Sequence, residues 1–161
     1  MSWNQSSLDM NEIWTNLWIG AVPTPLSVVR QNGFQVLVLC ANDFQFTQKK
    51  WTRKLDGVEV LRVPLDDTNR MNENDMRAVA STAQAVAEAV RGGRRVLVTC
   101  AAGLNRSGLV TGVALHLLTG WHGMKVINHV RAKRMFALNN DFFADMVLGN
   151  NQDFVDILFP S

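Results

Sequence analysis

The stretch "RRVLVTC" (94–100) leaves this chain the least freedom in how it folds. Val96, Leu97 and Val98 are followed by Thr99 and Cys100, so an extended segment here is almost wholly apolar on both faces. Such a run needs cover on both sides, the signature of a strand inside a parallel or mixed sheet. The small residues of "AAGLN" (101–105) come next. After them Leu109, Val110, Val113, Ala114, Leu117 and Leu118 recur at helical spacing. A strand, a tight turn and a helix in that order put Cys100 at the C-terminal end of a central strand, where ligands of open α/β sheets collect.

The rest of the chain repeats this alternation. "LWIG" (17–20), "FQVLVLC" (34–40) and "VEVLRVP" (58–64) read as strands, the last ending at Pro64. "PLSVVRQNG" reads as a short helix with Gly33 as its stop. In 72–93, Met76, Val79, Ala80, Ala83, Val86, Ala87 and Val90 form one apolar stripe, closed by Gly92 and Gly93. "GMKVINHVRAKRM", "NNDFFADMVL" and "NQDFVDILF" read as further helices. With no repeat, linker or low-complexity segment, the reading is a single domain over 1–161. Its class is α/β, a central mixed, mainly parallel sheet flanked by helices. At 161 residues such a domain buries roughly 70% of its unfolded surface.

Charge and cysteine usage remove several functional classes. Sixteen basic residues nearly balance 14 acidic ones, which gives no electrostatic case for broad nucleic-acid or membrane binding. Two cysteines support neither a disulfide framework nor a thiolate zinc site. "MSWNQSSLDMNEIW" has no basic segment followed by an apolar run, and "LVTGVALHLL" (109–118) is too short to span a bilayer. The expectation is a cytoplasmic, monomeric protein with no membrane contact. The five tryptophans and eight phenylalanines read as core and surface anchors rather than a base-stacking platform. His116, His122 and His129 follow no metal-ligand spacing and read as structural.

Chemistry concentrates in the turn after Cys100. Successive backbone N–H groups of Ala101, Ala102, Gly103, Leu104 and Asn105, set at a helix N-terminus, form an anion cradle. The pattern is not a nucleotide P-loop, because GxxxxGK[ST] is absent. The same positive field favours the thiolate form of Cys100, the nucleophilic one. Arg106 has a planar fork that matches two phosphate oxygens. A thiolate in an N–H cradle closed by an arginine describes phosphoryl transfer to sulfur.

"CAAGLNRS" (100–107), Cys-x5-Arg-Ser, resembles the signature loop of cysteine-dependent protein tyrosine phosphatases, and specifically the small dual-specificity branch. "IWTNLWIGAVPTPLSVVRQNGFQVLVL" is similar to that branch's opening strand, helix and second strand, and "VRAKRMFALNNDFFADMVL" to its closing helices. The resemblance implies a phosphocysteine intermediate on Cys100, with Arg106 binding the equatorial oxygens and Ser107 donating to the sulfur as it leaves. It implies no metal or other cofactor. "VPLDDTN" resembles the general-acid loop and offers Asp66 and Asp67; the family spacing favours Asp67. The implied partner is a phosphorylated protein, on tyrosine or on serine and threonine.

Three departures qualify this picture. Thr99 stands where most members carry histidine, which implies weaker activation of the Cys100 thiol. The neutral interior "AAGLN" lacks the lysines that inositol-phosphate phosphatases use. "GLNRSG" also resembles the loop of the RNA 5′-phosphatase branch, although near-zero net charge speaks against an RNA substrate. A catalytically silent phospho-binding module and a rhodanese-like sulfurtransferase are the remaining alternatives. Cys40 by itself reads as a small buried hydrophobe. "LVLCAND" resembles the strand end of the phosphatase and tensin homologue, which implies a reversible Cys40–Cys100 disulfide protecting the nucleophile.

Overall fold

A computed structural model describes residues 8–161; residues 1–7, on which the reading of a leaderless start partly rests, lie outside the described residues. Five strands, β1 (Met10–Trp14), β2 (Leu17–Ala21), β3 (Val36–Ala41), β4 (Glu59–Leu65) and β5 (Val96–Cys100), form one sheet in the order β1-β2-β5-β3-β4. β1 runs antiparallel to β2 and every other pairing is parallel. The sheet is therefore mixed and mainly parallel, with β5 at its centre.

The two apolar faces foreseen for β5 are both covered. Val96, Val98 and Cys100 join one core cluster, while Leu97 joins the other. β3 divides in the same way, with Val36, Val38 and Cys40 on the first face and Leu37 and Leu39 on the second. The first face carries five helices: α3 (Glu73–Arg91), α4 (Arg106–Thr119), α5 (Gly123–Lys133), α6 (Asp141–Leu148) and α7 (Gln152–Leu158). The second is covered by α1 (Ser27–Gln31) and, through Leu55, by the 3-10 turn that follows α2 (Lys49–Thr52).

Local signals explain the helix limits. Asn72 caps α3 by accepting from Asp75 N at 2.8 Å, and the seven stripe residues expected there are all buried. Gly93 with φ +80 turns the chain away beyond α3. α4 departs from a one-sided stripe. Residues 107–115 are buried all round because α3, α5 and α6 pack about it and the sheet lies beneath. Near-complete burial makes α4 a rigid base for whatever its first turn carries.

β1, α2 and the 3-10 turn after it were not foreseen, and several strand limits moved: the strands read over 34–40 and 94–100 begin only at Val36 and Val96. β1 buries only Met10 and Ile13 of "MNEIW", too little for a periodic signal. α2 is one exposed turn. β4 runs on through Pro64 to Leu65; it is an edge strand, where a missing N–H costs no ladder bond.

Candidate active site

β5 delivers Cys100, 2% exposed, to the C-terminal edge of the sheet, and α4 starts six residues later at Arg106. The turn between them rests on β2. Val22 N donates to Cys100 O at 3.2 Å, and Gly103 adopts φ +70. A Cβ on Gly103 would stand 2.3 Å from the Gly20 carbonyl carbon, so the loop can lie this close only with glycine there. From Ala102 to Arg106, no backbone N–H donates to a backbone acceptor among the described residues. These donors surround the start of α4, whose own first-turn N–H groups add a positive end.

The Cys100 Sγ and Ser107 Oγ lie 3.2 Å apart in buried surroundings, within reach of a hydroxyl-to-sulfur hydrogen bond. Arg106 Nη1 donates to Leu65 O at 3.1 Å and to Asp43 Oδ1 at 3.2 Å. Its Nε is buried with no hydrogen-bond partner among the described residues. A buried guanidinium N–H without an acceptor is costly in a resting protein, and a phosphate oxygen is the acceptor its geometry suits.

The two candidate acids part company. Asp66 accepts from Asn42 Nδ2 at 3.3 Å and lines a cavity with Thr68, Arg70 and Asp75. Asp67 faces the cradle. Its Oδ2 accepts from Asn105 Nδ2 at 3.0 Å and its Oδ1 from Asn140 Nδ2 at 2.7 Å. Asn140 also caps α6 with its own Oδ1, accepting from Phe143 N at 3.2 Å, and its backbone N donates to Asn105 Oδ1 at 2.9 Å. The acid-bearing loop, the cradle and α6 are thus tied at one point.

A second tie lies beneath the cradle. Arg134, buried after α5, donates from Nε to Gly103 O at 2.6 Å and from Nη2 to Ala102 O at 3.0 Å. The same guanidinium reaches Asp9 Oδ1 and Asn11 Oδ1, each at 2.8 Å. Arg134, Asn140 and Asp43 all escape sequence reading. Only Asn140 carries a local signal, as a helix-capping residue ahead of "FFADMVL".

Cys40 stands beside Cys100. Leu39 pairs with Thr99 in the β3–β5 register, so the next residues on each strand, Cys40 and Cys100, are level and share the first cluster. Burial pushes the Cys40 thiol well above its ordinary value, Cys100 adds to the rise, and Arg106 opposes it. Both thiols are free. Thr99 turns away from the cradle and donates to Val38 O at 2.8 Å. The histidines have structural partners: His116 meets Trp121 O at 2.6 Å, His129 meets the distant Ile13 O at 2.7 Å, and His122 caps α5. Among the described residues no helix is long and apolar enough to cross a membrane.

Comparison with known proteins identifies the family of the whole domain. The family model "Dual specificity phosphatase, catalytic domain" matches residues 17–152. Tk-PTP in its active form superposes with a TM-score of 0.74 at 25% identity, covering 88% of this chain and 95% of that one. Human DUSP28 does so with 0.73 at 22% identity, covering 93% and 95%. OH1 of Orf virus, described as a tyrosine phosphatase with triple substrate specificity, gives 0.65 at 18%, covering 88% and 85%. No curated protein sequence matches the chain.

Proposed function

The chain belongs to the dual-specificity phosphatase family and is a cysteine-dependent protein phosphatase; from that premise we propose that it hydrolyses phosphotyrosine and phosphoserine or phosphothreonine in proteins through a phosphocysteine on Cys100. The observation that carries this reading is the pairing of Cys100 Sγ with Ser107 Oγ at 3.2 Å, together with the buried Nε of Arg106, which has no hydrogen-bond partner among the described residues.

The Cys100 thiolate attacks phosphorus, the S–P bond forms and the P–O bond to the substrate breaks. Backbone N–H groups of residues 101–106 and the Arg106 guanidinium hold the equatorial oxygens as their charge grows. Asp67 gives its proton to the leaving oxygen, for which its loop stands over the cradle. Water then attacks the phosphocysteine with Asp67 as base. The P–S bond breaks, phosphate leaves, and the Ser107 hydroxyl donates to the departing thiolate. The cradle and Arg106 neutralise the phosphate without a metal ion.

A silent binding module needs the cradle but not a nucleophile, a hydroxyl at hydrogen-bond distance from it, or a tethered acid. Cys100 with the Ser107 hydroxyl 3.2 Å from it, and Asp67 tethered to Asn105 at 3.0 Å, support the catalytic reading over the silent one. The experiment is hydrolysis of para-nitrophenyl phosphate in EDTA and reductant. Wild type is expected to turn over, Cys100→Ser to lose all activity, and Asp67→Asn to fall by about a hundredfold. Turnover that survives Cys100→Ser overturns the reading.

A further inference from the structure

Beside the cradle opens a groove of about 310 Å3 whose wall includes Ala101, the first residue after the nucleophile. Pro23, Pro25, Phe44, Phe46 and Trp51 line it as well. These three aromatics are not interior packing of the ordinary kind. Phe44 is 39% exposed and stacks on Phe46 at 6.2 Å, and Phe46 meets Trp51 edge-on at 5.4 Å. Phe46 holds φ +50, a conformation a bulky side chain adopts only where its surroundings impose it.

The rim is positive. Lys50 Nζ lies 4.9 Å and Lys54 Nζ 5.2 Å from the centroid of the Trp51 ring. With Lys49 and Arg53 the stretch 49–54 carries four basic residues and no acidic one. Asp43, the acid nearest in sequence on the other flank of the aromatics, is engaged with Arg106.

We propose that this groove seats an apolar, preferably aromatic, side chain of the phosphoprotein substrate, next to the phosphorylated residue in sequence and flanked by acidic residues. The inference rests on the phosphatase reading, because Ala101 is what joins groove and cradle. Its size suits one large side chain, and the basic rim suits a chain already negative around its phosphate. A nucleobase fits less well. Lys50 and Lys54 both lie over the Trp51 ring, where a base would stack, and Phe46 meets its edge. Seating a phenylalanine there is worth about tenfold in kcat/KM.

The test uses matched phosphotyrosine peptides carrying Phe or Ala at each position near the phosphoresidue, in acidic and in neutral sequences. Each enzyme's rates are normalised to its own para-nitrophenyl phosphate turnover. At one position wild type should prefer Phe over Ala by about tenfold, and Phe44→Ala should reduce that ratio to within about twofold. The double charge reversal Lys50→Glu with Lys54→Glu should remove the preference for acidic sequences. Equal rates for the Phe and Ala peptides at every position in wild type, or an undiminished ratio in Phe44→Ala, overturns the proposal. If wild type fails on para-nitrophenyl phosphate, the catalytic reading fails by itself. Fluorescence anisotropy with the same labelled peptides then decides for the groove, since tighter binding of Phe over Ala supports it and equal binding overturns it. A 5′-phosphorylated oligonucleotide that outcompetes the peptides and loses affinity in Phe44→Ala overturns it in favour of nucleic acid.

Discussion

Arg134 Nε donates to the carbonyl of Gly103 at 2.6 Å, from a residue 31 positions further along the chain. One planar guanidinium thereby fixes two successive carbonyls of the cradle, the Asn11 side chain of β1 and the Asp9 side chain just before it. With those carbonyls held from below, the N–H groups of the same peptides are free to serve the anion. Lysine offers one point of attachment where the fork has several, so Arg134→Lys is expected to cost about 2–4 kcal/mol of stability. It should also weaken the rise in melting temperature that inorganic phosphate gives wild type. Unchanged melting, with and without phosphate, would contradict this role for Arg134.

Gly103 is the cradle's other fixed point. A methyl group there meets the β2 backbone at Gly20 and Ala21 rather than the end of a flexible side chain, and φ +70 already disfavours alanine. Gly103→Ala should destabilise the fold by about 3 kcal/mol or more. Activity should drop at least about a hundredfold, because the loop must lift off β2 and carry its donors with it. Calorimetry and turnover of para-nitrophenyl phosphate check both. A variant that keeps wild-type rates would show the loop tolerates displacement.

How far the sequence reaches is visible in these two residues. Cys100, Arg106 and Ser107 are legible because one strand, one turn and one helix present them within eight residues, and α3 because its stripe is long. Phe44, Phe46 and Trp51 look like ordinary anchors in the chain. They become a basic-rimmed groove only when α1 and α2 fold over the second face. Arg134, Asn140 and Asp43 act across 31 to 73 residues of chain, and no local pattern encodes such a meeting. The choice between Asp66 and Asp67 is of the same kind. Their neighbourhoods differ through Asn42, Asn105 and Asn140, not through their own flanks.

Asn140 serves α6 with its oxygen and Asp67 with its nitrogen, so the two duties can be separated. Asn140→Asp keeps a capping oxygen for Phe143 N but replaces the donor to Asp67 with a second carboxylate. Stability should change by no more than about 1 kcal/mol. Turnover of phenyl phosphate, whose leaving group needs its proton, should fall about tenfold further than that of para-nitrophenyl phosphate. Equal losses on the two substrates would detach Asn140 from proton transfer.

Adjacent strands of a sheet lie about 4.8 Å apart, inside the Cα separation of about 4.4–6.8 Å that a disulfide spans. Cys40 and Cys100 are level on such a pair of strands and on one face. After peroxide, the oxidised Cys100 is expected to be captured by Cys40, with water released, and dithiothreitol should restore activity. Peptide mass analysis should find the Cys40–Cys100 crosslink, and Cys40→Ser should recover far less. No crosslink, or equal recovery in the variant, removes this protective role.

Cys40 also makes the fold sensitive to alkali. Its buried thiol is held well above the ordinary value of 9.0, chiefly by desolvation and further by Cys100. In the unfolded chain the thiol ionises near its ordinary value, while in the folded chain it ionises only at higher pH. Its stabilising effect is therefore complete below about pH 9 and is lost as pH rises toward the folded value, at up to about 1.4 kcal/mol per pH unit. The melting temperature of wild type should drop more steeply between about pH 8.5 and 10.5 than that of Cys40→Ala. The comparison is of slopes, so the cavity left by the substitution, which lowers stability at every pH, does not enter. Parallel slopes would mean that the buried thiol ionises at the same pH in the folded and unfolded chain, and the desolvation that the closed first face of the sheet imposes on Cys40 would have to be relieved by water reaching it.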